Sequence, residues 1–160
     1  MEEILNKEAV KRVKKKLEEF DKSIKIVLLE STARTASDAA KSLKTEVGSI
    51  VKSLLLRTKS SFLLCLVAGD RKCSLNKLKK ILNEKDVSMA NAEQVKEVTG
   101  FTIGGVSPVG HLKNIDVYID KSFSRFEHIF AAAGHPNCIF KINFDKLEKI
   151  TNGVVMDISE

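Results

Sequence analysis

Apolar residues recur every three or four positions near the start of the chain, at Val10, Val13, Leu17 and Phe20, with Lys11, Arg12, Lys14, Lys15 and Lys16 between them. That spacing predicts an amphipathic helix laying one stripe on the body of the protein. The pattern then turns short and β-rich at residues 24–30, IKIVLLE, which reads as a strand. Thr35 predicts a helix start, with Asp38 favouring its positive end and the helix running to about Leu43. SIVKSLLLR and SFLLCLVAG are apolar runs separated by TKS, as in a hairpin. A helix follows over residues 75–82, with Leu75, Leu78, Ile81 and Leu82 inward. Asn91 and Gln94 form a capping-box pattern for another that ends before Gly100. DVYID, FEHIFAAAG and CIFKIN read as strands, and residues 145–150 as a last helix.

Strands and helices thus interleave irregularly, and adjacent strand pairs have short connections. A doubly wound parallel sheet would need a helix in every crossover. The expectation is an α/β (α+β) fold whose mixed, strongly curved, barrel-like sheet carries peripheral helices. No repeat, low-complexity tract or linker divides the chain. Residues 1–160 read as a single domain, with the helix of residues 1–22 packed on it.

No apolar run approaches the roughly 18 residues of a membrane helix, and the charged N-terminus has no secretory core. Three cysteines, Cys65, Cys73 and Cys138, with no C-x-x-C pair, argue against a disulfide framework. These features predict a cytoplasmic protein without membrane partners; a monomer is the default. Lys and Arg number 27 against 21 Asp and Glu, a formal charge of +6 that suits a polyanion such as RNA or serves solubility alone.

Several catalytic signatures are missing: G-x-S-x-G, G-x-x-x-x-G-K-[ST] and H-E-x-x-H. The three cysteines and His111, His128 and His135 form no recognised ligand spacing, so neither metal nor cofactor is expected. Residues 100–111, GFTIGGVSPVGH, hold four of the eight glycines and one of the two prolines. Such a stretch is either an awkward turn or a surface that meets a ligand through main-chain amides. Lys52 shares a strand face with Leu54 and Leu56. Its ammonium either snorkels to solvent, the plainer reading, or points into a cleft that holds an anion.

Taken in order, STARTASDAAKSLKTEVGSIVKSLLL, LVAGDRK, TGFTIGGVSPVGH, VYID and IFAAAGHP resemble the YbaK/prolyl-tRNA-synthetase-associated domain family, from about Ile26 to the end of the chain. Members are aminoacyl-tRNA deacylases or editing domains of prolyl-tRNA synthetases. The resemblance implies a barrel-like mixed sheet and hydrolysis of the ester joining a wrong, small amino acid to a transfer RNA, most often tRNA(Pro). Alanine, cysteine, 2-aminobutyrate, serine and threonine are the expected cargoes, with a lean away from cysteine towards alanine or 2-aminobutyrate. Lys52 is then implied to hold the substrate's acceptor end. The loop of Gly104, Gly105, Val106, Ser107 and Pro108 is implied to line the aminoacyl pocket, with Gly104 and Gly105 supplying oxyanion-stabilising amides. Gly134 and His135 are implied beside it, and Thr32 and Thr35 match the ST-x-RTA pattern of one branch. Arg71 and Lys72 are the expected tRNA contacts, and prolyl-tRNA synthetase is a further candidate partner. A non-catalytic tRNA- or synthetase-binding module of the same fold is the alternative.

Overall fold

The computed structural model describes residues 2–31 and 33–160. A short helix, α1 (Glu2–Leu5), leads into α2 (Glu8–Phe20), which buries Val10, Val13 and Leu17 and leaves Phe20 exposed at the end of the stripe. Helix α3 (Ala36–Leu43) begins at Thr35, whose Oγ1 accepts the Asp38 N–H at 3.1 Å. Helix α4 (Leu75–Leu82) buries Leu78 fully. Helix α5 (Ala92–Thr99) has the reciprocal Asn91–Gln94 box, at 2.8 and 2.9 Å. Capping of this kind contributes about 1 kcal/mol. Helix α6 (Phe144–Thr151) closes the series.

The strands form two sheets. The larger is ordered β4 (Ser88–Met89), β2 (Val51–Arg57), β3 (Phe62–Ala68), β5 (Asp116–Asp120), β8 (Val154–Met156). The smaller is ordered β1 (Ile26–Leu28), β7 (Cys138–Ile142), β6 (Ile129–Ala132). The β2–β3 hairpin is antiparallel as expected, whereas β3–β5 and β5–β8 pair in parallel. Both parallel crossovers do carry helices, α4 and α5 in the first and α6 in the second, as parallel connections require.

The fold is therefore α+β with a mixed sheet, but the expected strongly curved, barrel-like closure is absent. Both sheets are open. Among the described residues they are joined by one isolated parallel bridge, Ile50 to Phe130, and a single residue pair cannot continue a ladder between them. Among the described residues no helix is long and apolar enough to cross a membrane.

Alternation along β2 sorts its side chains between two cores. Val51 and Leu55 face the main core with Leu64, Leu66, Val95 and Phe101. Leu54 and Leu56 face a smaller cluster with Cys65, Val67 and Leu78. Ser53 thus belongs to the first face and Lys52 to the second.

Candidate active site between strand β2 and the glycine-rich loop

A cavity of about 360 Å³ lies where α3, β2, α5, β6 and the loop at residues 103–106 converge. Five consecutive residues of β2, 51–55, line it. One face of a strand cannot supply five neighbours, so the cavity also runs along the strand's edge. That edge is uncovered there because β4 pairs only with Leu56 and Arg57. Main-chain groups alternate between the two edges of an antiparallel strand. Gly69 N–H donates to Ile50 O at 2.8 Å, so even-numbered residues of β2 face β3 and odd-numbered ones face outward. Leu55 O accepts from Ala90 N–H at 3.0 Å, and the Ser53 main chain is left turned toward the cavity.

The walls are mostly small and apolar. Ala132 and Ile139 are cross-strand partners on one face of the smaller sheet, and both line the cavity. Ala39 of α3 and Val106 of the loop oppose them. Exposed Ile103 and Met89 flank the mouth, and Arg34 and Thr35 stand at the entry of α3. No carboxylate, histidine or cysteine occurs among the described lining residues.

The glycine-rich stretch does two jobs. Gly110 (φ +83°) sits where an added Cβ would lie 3.1 Å from Val13 N, so α2 can pack closely on the loop. Arg12 of the same helix clamps the loop further, donating to Gly110 O and Gly100 O, each at 3.0 Å. Its guanidinium also lies 5.1 Å from the Phe101 ring centre. His111 ties the same end of the loop back on itself, with Nε2 2.7 Å from Ser107 O. A carbonyl only accepts, so Nε2 carries the proton; burial holds the His111 pKa below its ordinary value.

Of the implied pocket residues, Gly104, Val106, Thr35 and Lys52 reach the cavity wall. The Gly105 N–H is already donated to Thr102 O at 2.9 Å, and its Cα packs against the His135 backbone. Ser107 and Pro108 are buried behind the loop. Gly134 (φ +94°) packs on the Ala9 backbone of α2, and His135 Nδ1 accepts the Asn137 N–H at 3.0 Å. From that turn it is Pro136 that meets the cavity. Thr32 lies outside the described residues.

Lys52 Nζ donates to the carbonyl oxygen of Arg71. The ammonium therefore sits at the foot of the 70–72 turn, where Arg71 and Lys72 are exposed. Burial lowers the Lys52 pKa, while Cys73 and Asp70 oppose the shift. Asp70 is itself held by Arg125 through paired contacts of 2.8 and 2.9 Å, which keep its carboxyl below the usual range. Lys52 thus emerges as a half-buried cation beside two exposed ones.

The profile of the aminoacyl-tRNA editing domain matches residues 30–150. The chain belongs to that family. Editing-domain relatives cover nearly all of it. A solved structure of a candidate trans-editing enzyme for prolyl tRNA synthetase superposes with a TM-score of 0.90 at 34% identity, covering 96% of this chain and 98% of its own. EbsC of Enterococcus faecalis, a candidate Cys-tRNA(Pro)/Cys-tRNA(Cys) deacylase, is 27% identical over 126 residues, 78% of this chain and 77% of EbsC. The proline--tRNA ligase of Thermosipho africanus is 39% identical over 77 residues, 48% of this chain but 14% of the ligase. The YbaK-type resemblance carried by the motifs is thereby the family of this chain.

The editing-domain cavity also uses residues that the sequence reading passed over. Ser53 is a polar residue between Val51 and Leu55 on one strand face, a signal that alternation could have exposed beside Lys52. Ala39 and Ala132 shape the walls, and nothing in two alanines distinguishes them from ordinary packing. Arg12 was placed between apolar positions of a helix; its loop carbonyls lie about ninety residues away in sequence.

Proposed function

We propose that this chain is a trans-editing deacylase that hydrolyses the ester of tRNA(Pro) mischarged with a small amino acid such as alanine, 2-aminobutyrate or cysteine. One observation carries the reading: a small, mostly apolar cavity between β2 and Gly104 whose described lining holds no carboxylate, histidine or cysteine. An aminoacyl ester is already activated, and its neighbouring ribose hydroxyl can orient or deprotonate the attacking water. Water adds to the ester carbonyl, the tetrahedral oxyanion collapses, and the ribose oxygen leaves with a proton, giving free amino acid and intact tRNA.

Gly104 brings loop main chain to the reacting carbonyl without a side chain in the way, where aimed N–H groups stabilise the developing oxyanion. Gly105, its own amide engaged with Thr102, lets the loop lie against the His135 turn. Lys52 anchors the acceptor end by charge from the foot of the Arg71–Lys72 turn. Val106 and Thr35 border the acyl group and the entry. Ser107, Pro108, Gly134 and His135 hold the loop and the turn in place.

A synthetase pocket built for proline rejects smaller amino acids by only a few kcal/mol, and a second site restricted to small side chains removes the errors. The test is to incubate the protein with alanyl-, cysteinyl-, 2-aminobutyryl- and prolyl-tRNA(Pro). The expected result is rapid loss of at least one small aminoacyl ester with prolyl-tRNA(Pro) spared. Ester unchanged in every case, with tRNA binding intact, would leave a binding-only module.

A further inference from the structure

Ser53 carries a hydroxyl for which the described residues supply no partner. Its Oγ is buried and makes no hydrogen bond with any described residue, although buried hydroxyls are nearly always paired. The register sets Ser53 opposite fully buried Leu66 and between Val51 and Leu55 on the same face. Val95 and Val106 complete an apolar floor around it. Of the other polar residues lining the cavity, Thr35 Oγ1 accepts the Asp38 N–H, Lys52 Nζ donates to Arg71 O, and Arg34 lies beside Gly104. Ser53 lines the cavity, and its Oγ lies packed beneath that wall with its hydrogen-bonding capacity unspent by any described residue, so a polar group seated deep in the cavity is what would pair it.

We propose that Ser53 reads the side chain of the aminoacyl group, so that the cavity favours a small side chain bearing a hydroxyl or thiol over an apolar one of equal size. The inference rests on the deacylase reading of this cavity. Serine and 2-aminobutyrate make the sharpest comparison, because CH₂OH and CH₂CH₃ fill nearly the same space. Apolar walls alone cannot separate them strongly. A floor hydroxyl can, because the apolar substrate leaves it buried and unpaired.

The experiment compares kcat/KM for tRNA(Pro) charged with serine and with 2-aminobutyrate, using wild type, Ser53→Ala and Ser53→Thr. Wild type is expected to favour the serine ester about tenfold, on the scale of one hydrogen bond. Ser53→Ala should bring the ratio close to one, mainly by slowing serine hydrolysis, and Ser53→Thr should retain a preference. A ratio unchanged by Ser53→Ala, or a wild type that favours 2-aminobutyrate, overturns the assignment while leaving the deacylase reading intact. Hydrolysis of neither ester, nor of any in the wider panel, overturns both. Thermal unfolding supplies a separate readout: Ser53→Ala should leave the midpoint unchanged or raised. A clear drop would mean that the hydroxyl serves the fold rather than the ligand.

Discussion

Ala132→Phe is expected to lower kcat/KM for small aminoacyl esters at least about a hundredfold, the scale on which misplacement of reacting groups is felt. Ala132 is half-buried on β6, paired with Ile139 on the side of the smaller sheet that faces the cavity. A phenyl ring there occupies the space between Ser53 and the Gly104 loop. The opposite face of β6, with Ile129 and Ala131 in the main core, keeps its packing. Melting should therefore change little, within the 1–3 kcal/mol that overpacking typically costs. Activity assays alongside thermal unfolding check this. A variant that keeps its fold and its full activity would place the reaction outside the cavity.

Lys52→Ala is expected to lower kcat/KM roughly 10- to 100-fold, the range of one charge-assisted hydrogen bond of about 1.5–3 kcal/mol. The loss should fall mostly on KM, because the ammonium binds the charged acceptor end rather than the reacting carbonyl. Its side chain lies on the β2 face opposite Ser53 and ends at the Arg71 carbonyl. Lys52→Arg should recover part of the loss, since charge rather than proton transfer is what the position supplies. Steady-state kinetics with a short aminoacyl mimic refine the assignment: a substrate without the acceptor phosphates should be nearly indifferent to Lys52. Equal losses on mimic and full tRNA would instead put Lys52 at the reacting centre.

The sequence was most legible where structure is local. Thr35, Asn91 and Gln94 name their helices through hydrogen bonds spanning three residues, and the TKS connection leaves β2 and β3 little choice but to pair. Pairings over long separations were not legible. Strand β8 is an apolar run of only three residues, too short to declare itself, and it finds β5 only because α6 returns the chain there. The two-residue β4 is defined by its partner on β2. Closure into a barrel was expected from the irregular order of elements, yet it depends on whether β2 and β6 share a ladder, which their sequences do not encode.

The site shows the same division. Lys52, Gly104, Val106 and Thr35 were all expected at the pocket, and the fold gathers them around one cavity. Gly134 and much of the glycine-rich stretch turn out to serve the docking of α2, a contact between segments far apart in sequence. The density of glycine at residues 100–111 thus reflects two neighbours, a helix on one side and a cavity on the other. Charge, similarly, suggested an RNA partner without saying where. The engagement of Lys52 with Arg71 O is what links the buried cation to the exposed pair at residues 71 and 72.

The most direct measurement is a crystal structure of the protein with alanine joined to 3′-amino-3′-deoxyadenosine, an amide that water cannot readily cleave. The alanyl group should lie inside the cavity, its carbonyl against the Gly104 main chain and its methyl toward Ser53 and Ala132, with the adenosine at the mouth beside Ile103 and Met89. An analogue bound elsewhere, with this cavity unfilled while the protein still hydrolyses the corresponding ester, would contradict the account.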